Sequence, residues 1–381
     1  MVRRVHVSVA SARAPGARFQ LVDALRGLAA LAVVLPHAVG LFFYPHESWL
    51  SRLFVRLAEF GIGSVDVFFV VSGFAIAYSL RDTTTEGFSL GRFVLRRAVR
   101  LDPPYWVALL WSGLVVAIRA RSNHQPVLLP HAGKVLAHLF YLQDILGYGQ
   151  FNVVFWTLCL EFQLYLVFAL MMRFVNALRT APRESSSRTL GETDPFGWLM
   201  VAGFFVTLIV SHTVWPMRPG WFVPFFYLFL SGSLAAWLTL GRISERLFVA
   251  CLACMGLALL LRPELPRVLG FLTTLVLYAA LRKNALHRWL SGAALQWLGR
   301  ISYSIYLVHA PLVVLFLGVR TRLAPDSKLV SFLCLAGAYA CTVAFASVFH
   351  VVVEVPCLRL SRHLKRSASL EDPRVEQAPP V

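Results

Sequence analysis

Ten apolar runs, each close to the length of a bilayer-crossing helix, limit this chain to one class of fold. They fall at about residues 20–43, 61–80, 103–118, 152–174, 196–215, 221–240, 247–261, 268–281, 300–318 and 329–353. A hydrocarbon core of about 30 Å needs roughly 20 helical residues, and a helix satisfies its own backbone polar groups there. Composition points the same way, with 58% hydrophobic residues, 14% charged residues and a mean hydropathy of +0.67. The expectation is an all-α polytopic membrane protein of about ten transmembrane helices. It divides into a cytoplasmic tail over residues 1–19, an integral-membrane domain over 20–357, and a short, disordered cytoplasmic tail over 358–381. A weaker run at 135–148 contains Gln143 and Asp144 and reads as an interfacial or re-entrant helix rather than a span.

Positive charge orients the spans. With the N-terminus inside, most of the 36 lysines and arginines fall in cytoplasmic segments, so both termini are expected in the cytoplasm. The net charge of +17 is then loop arginine beside an anionic lipid leaflet, and no nucleic-acid partner is expected. Residues 1–18 lack the apolar core of a cleavable signal peptide. Cys251 and Cys254 have the spacing of a redox or zinc motif, but their neighbours are uniformly apolar, which favours packing; no metal is expected.

The first run, Phe19 to Phe43, carries Asp23, Arg26 and His37. Eleven residues separate Arg26 from His37, which on a helix is about three turns and about 16 Å, so both face one way without touching. Asp23 joins that stripe. Charge inside a bilayer is expensive and marks a protein interior or a water-filled site. Pro36 frees the carbonyl of Ala32 and allows a bend beside His37.

Further polar residues recur along the chain. Asp66 lies about one turn into the second run and reads either as a packing residue or as part of a site. Arg97 and Arg100 share a helical face before Pro103 and Pro104 end that helix; they suit a phosphorylated ligand, or simply mark orientation. Glu161 lies deep in a span and needs a partner, for which Arg26, His37 and His309 are open choices. Near the C-terminus, Ser302, Tyr303, Tyr306 and His309 crowd one stretch, with Tyr303, Tyr306 and His309 on a broad stripe.

Six segments, in this order and spacing, resemble the acyltransferase 3 family of integral-membrane, acyl-CoA-dependent O-acyltransferases. They are VDALRGLAAL ahead of His37, GSVDVFFVVSGFAIA, RRAVRLDPPYW, FWTLCLEFQLYL, LGRISYSIYLVHAP and VEVP, and they reach over residues 20–357. The resemblance implies that Arg26 and His37 are essential to acyl transfer, that Arg97 and Arg100 bind the donor, and that Glu161 is the family's membrane glutamate. Two departures stand out: Thr157 replaces a common Ser, and Phe162 replaces a frequent second acid.

The expected function is therefore transfer of an acyl group, acetyl foremost, from acyl-CoA to a hydroxyl of a carbohydrate or glycolipid, in a bacterial inner membrane. His37, Arg26 and Glu161 are the catalytic candidates, with His37 as the base because its ordinary pKa suits proton removal near neutrality. Arg97 and Arg100 are the donor-binding candidates, and Asp23, Asp66, Ser302, Tyr303 and His309 are supporting. A polytopic transporter, using the same charges for translocation, is the rival reading.

Overall fold

The computed structural model describes residues 19–42, 49–81, 88–178, 193–213, 220–324 and 326–370. The expected N-terminal tail, most of the polar loop at 179–195 and the end of the C-terminal tail lie outside them. Every regular element among the described residues is helical. Each expected apolar run falls on a helix, and eight helices are long and apolar enough to cross a membrane. Val223–Thr239 and Glu245–Leu261 are shorter, at 17 residues each. The chain is thus an all-α, multi-pass membrane protein. The weaker run holds only an 8-residue helix, Ala132–Leu139, followed by turns, so it does not span.

The first span is broken. Helix α1 (Gln20–Ala32) ends at Val33 and α2 (Val34–Phe42) begins at once, with the break at the carbonyl that Pro36 cannot engage. Tyr339 donates to the neighbouring carbonyl of Leu31 at 3.2 Å, which steadies the broken turn. The second span is longer than its apolar run. Between the first two apolar runs the described residues, from 49 on, form helix α3 (Trp49–Ile62), which leads into α4 (Ser64–Ser79). Its arginines and glutamate hide the pattern from a hydropathy reading, but they sit on an exposed face while Ser51 and Ala58 are buried.

Helix α5 (Leu90–Ser122) also departs from expectation, because it runs through Pro103 and Pro104 without ending. Ser89 caps its start by accepting the amide of Arg92, and Tyr303 donates to the carbonyl of Leu101 at 3.0 Å, inside the turn the prolines disturb. Packing supplies what the missing amides withhold. The tail expected from residue 358 likewise begins as helix: α13 (Lys328–Phe349) passes through a π-helical segment, His350–Glu354, into α14 (Val355–Leu370). A π register immediately before Pro356 accommodates a residue with no amide to donate.

The remaining helices are α6 (Ala132–Leu139), α7 (Trp156–Ala177), α8 (Pro195–Thr213), α9 (Val223–Thr239), α10 (Glu245–Leu261), α11 (Leu265–Arg282) and α12 (Ala293–Leu323). Two close crossings organise them. At one, a side chain on Gly73 would collide with the carbonyl of Phe229, and one on Gly232 with that of Val70. Gly73 thus meets α9, while Gly61 is the glycine that meets Pro36 of the first span. At the other crossing, α1 and α12 touch backbone to backbone, since a Cβ on Gly27 would lie 2.7 Å from the amide nitrogen of Gly299. The buried side chains form two clusters, one around α4, α7, α8 and α9, the other around α2, α12 and α13. The site lies on the seam between them.

Candidate active site

Because Gly27 and Gly299 let α1 and α12 approach so closely, the residues beside them, Arg26 and Ser302, come to line one cavity. This central cavity holds about 160 Å³ and takes Ser72 and Ser79 from α4, Arg97 and Arg100 from α5, Thr157, Glu161 and Tyr165 from α7, and Ser302, Tyr303 and Tyr306 from α12. Arg26, Glu161, Arg97, Arg100, Ser302 and Tyr303, six candidates from four distant segments of sequence, therefore converge.

Glu161 is held by hydroxyls. Ser72 donates to it at 3.1 Å and Tyr165, one turn along α7, donates to the same oxygen. Arg26, His37 and His309, the partners considered from sequence, are not the ones that bond it. Arg97 stands nearby, its Nη2 3.4 Å from the Ser79 hydroxyl and its guanidinium over the Tyr165 ring at 5.4 Å. Ser302 spends its proton on the carbonyl of Gly299, leaving oxygen lone pairs to the cavity.

Arg26 and Arg100 also line a second, larger space of about 450 Å³, with Asp23, Arg300, His350, Glu354, Arg359 and Arg362. Five guanidiniums thus border one vestibule against two carboxylates. None of the five side chains makes a hydrogen bond or ion pair with another described residue. Glu354 is buried and occupied, accepting from Ser304 at 2.7 Å and bonded to His350 Nδ1 at 2.9 Å. Arg side chains without a hydrogen-bond or ion-pair partner among the described residues leave their donors to this space, and their planar forks suit phosphate. Arg300, Arg359 and Arg362 read from sequence only as orientation charges. The signal available was spacing, since Arg359 and Arg362 repeat the three-residue interval of Arg97 and Arg100.

His37 lies elsewhere. It lines a third space of about 290 Å³ with Pro36, Gly40, Leu41, Val153, Ala310, Val313 and Val314, and its ring centroid is 5.3 Å from that of His309. Tyr306 lines the central cavity and packs against His309, the ring next to His37. Its hydroxyl bonds Thr157 and donates to the carbonyl of Val154 at 2.7 Å, and its ring lies 5.7 Å from His309. The break after Ala32 also interrupts the straight stripe expected from Arg26 to His37.

Asp66 does not reach any of these spaces. It is buried against Arg267 of α11 at 3.4 Å, and that guanidinium sits over the rings of Phe225 and Tyr227. Among the described residues no group of three or more His, Cys, Asp or Glu could hold a metal ion.

A multi-pass helical protein with a basic vestibule leading to a polar intramembrane cavity defines the class. The chain belongs to the acyltransferase 3 family, whose acyltransferase domain matches residues 19–350. It is 27% identical to the acyltransferase MdmB of Streptomyces mycarofaciens, over 95% of this chain and 97% of that protein. It is 25% identical to the peptidoglycan O-acetyltransferase OatA of Listeria monocytogenes over 77% of this chain, spanning about half (49%) of that protein's length. A shorter match, 22% identical over 42% of this chain and 41% of the relative, is to the O-acetyltransferase PaAT-1 of Phomopsis amygdali. No solved structure matches. The chain is thus an O-acyltransferase-type enzyme that takes an acyl donor and an acceptor substrate in the membrane.

Proposed function

We propose that this enzyme works in a bacterial inner membrane, with its vestibule facing the cytoplasm, and moves an acyl group, acetyl foremost, from acyl-CoA to a hydroxyl of a carbohydrate or glycolipid. The observation that carries the donor assignment is the vestibule itself. Five guanidiniums free of described partners border about 450 Å³, and two of them, Arg26 and Arg100, continue into the central cavity. A nucleotide carrying several phosphates matches that charge, and a thin pantetheine arm matches the narrower space beyond it.

His37 is the base in this reading. The acceptor oxygen loses its proton to His37 as it bonds the acyl carbon; the carbon–sulfur bond breaks, and the CoA thiolate leaves and is protonated. The thioester approaches from the side of Arg26, passing the Tyr306–Thr157 contact. Glu161, with Ser72, Tyr165 and Arg97 around it, stands beside that path and fixes the polar wall of the cavity. The test is direct: purified protein in detergent is given acetyl-CoA and n-octyl glucoside, a soluble glycolipid mimic, and release of CoA thiol and acetyl-glucoside is measured. Release of both supports the reading, whereas binding of acetyl-CoA with no thioester cleavage removes it.

A further inference from the structure

His309 is fully buried, and its two ring nitrogens have different fates. Nδ1 lies 2.8 Å from the carbonyl of Tyr306 and 3.2 Å from that of Ile305. Carbonyl oxygens only accept, so Nδ1 carries the proton, and the lone pair of the neutral ring is on Nε2. That Nε2 has no partner among the described residues and is sealed from solvent. A buried acceptor left unpaired is costly and rare, and it invites explanation. The neighbouring imidazole is His37, 5.3 Å between centroids and tilted by 46°; the two rings make no direct hydrogen bond, and a rotation of either ring or one bridging water closes that gap. The other titratable side chain against His309 is Tyr306, whose hydroxyl is turned away onto Thr157 and Val154.

We propose that His309 is a positioning residue: its Nε2 accepts a hydrogen bond from the His37 ring and so leaves the other nitrogen of His37 bare for the acceptor's proton. The assignment rests on the reading of His37 as the base. Its logic is that of any base whose tautomer is fixed by a second group behind it. The backbone of α12 sets the whole relay, because the carbonyls of Ile305 and Tyr306 fix His309, and His309 fixes His37. No proton leaves His309 at any step.

The experiment compares His309→Leu, which removes the acceptor, with His309→Gln, whose amide oxygen can stand where Nε2 stood. Thiol release from acetyl-CoA in the presence of n-octyl glucoside gives kcat and KM, and acetyl-CoA binding and melting midpoint are read on the same samples. His309→Leu is expected to lose roughly 100-fold or more in kcat, with KM for acetyl-CoA within about twofold, and His309→Gln to regain at least about tenfold of that loss. Wild-type turnover in His309→Leu overturns the proposal. So does an equal fall in both variants accompanied by lost donor binding and lowered melting, which is the signature of packing alone. A wild-type protein that cleaves no thioester fails at the earlier step and overturns the acyl-transfer reading, and this assignment with it.

Discussion

Arg97 and Arg100 stand one turn apart on α5 and both line the central cavity, but only Arg100 also borders the vestibule. Arg97 turns into the central cavity, where Ser79 and the Tyr165 ring hold it, while Arg100 reaches back to share the vestibule with Arg26. A pair that sequence presents as one phosphate clamp is thus uneven: Arg100 alone reaches the arginine-lined vestibule, while Arg97 stays in the polar wall near Glu161.

This division makes the two arginines separable. Arg100→Ala removes a charge-assisted contact and should weaken CoA binding by roughly ten- to 150-fold, equivalent to about 1.5–3 kcal/mol. Arg97→Ala should leave CoA affinity within about threefold and lower turnover instead. Titration calorimetry with CoA, repeated at raised salt, checks both. Arg359→Ala together with Arg362→Ala should flatten the salt dependence, because those exposed charges act at longer range. Equal losses of affinity in Arg97→Ala and Arg100→Ala would contradict the division.

Asp66 offers a contrast, since its carboxylate is committed to Arg267. Asp66→Ala leaves the buried Arg267 guanidinium with only the longer contact to half-exposed Glu264, 3.7 Å away, and should cost about 3 kcal/mol of stability, while whatever protein folds keeps normal turnover per molecule. Melting midpoint and specific activity, measured together, decide it. Normal melting with lost turnover would return Asp66 to the site.

Much of the site was legible because charge in an apolar run has few explanations. Arg26 and Glu161 stood out by depth, and Ser302 and Tyr303 by crowding. What sequence withheld were the pairings across distance. Asp66 and Arg267 are separated by 201 residues, and nothing local at either position names the other. Arg300, Arg359 and Arg362 carry the same letters as orientation charges, and only the approach of α14 to the start of α5, where Ser361 donates to the carbonyl of Arg96, gathers them around a space. The prolines at 103 and 104 misled for a related reason: their cost is local, and the contacts that outweigh it come from α12. The break at Val33 was legible from Pro36, because that proline's missing amide acts within its own helix.

Topology is tested at the C-terminal end of α5 and in the turn after α11. A single Cys replacing Asn123, at the end of α5 far from the vestibule, should react with an impermeant maleimide from outside intact cells. One replacing Arg288, in the turn that packs beside Leu21 at the vestibule end, should react only after permeabilisation. Labelling of position 123 only after permeabilisation would contradict the ten-span arrangement with cytoplasmic termini.

The central claim is that one protein binds a phosphorylated acyl donor at its arginines and performs transfer at a histidine some distance away. Purified His37→Ala, assayed beside wild type for acetyl-CoA binding and for thiol release, measures this most directly. The account predicts that His37→Ala binds acetyl-CoA within about twofold of wild type while thiol release falls to background, as expected when a base is lost but the donor's contacts remain. Thiol release by His37→Ala at the wild-type rate, or loss of acetyl-CoA binding in step with activity, would contradict it.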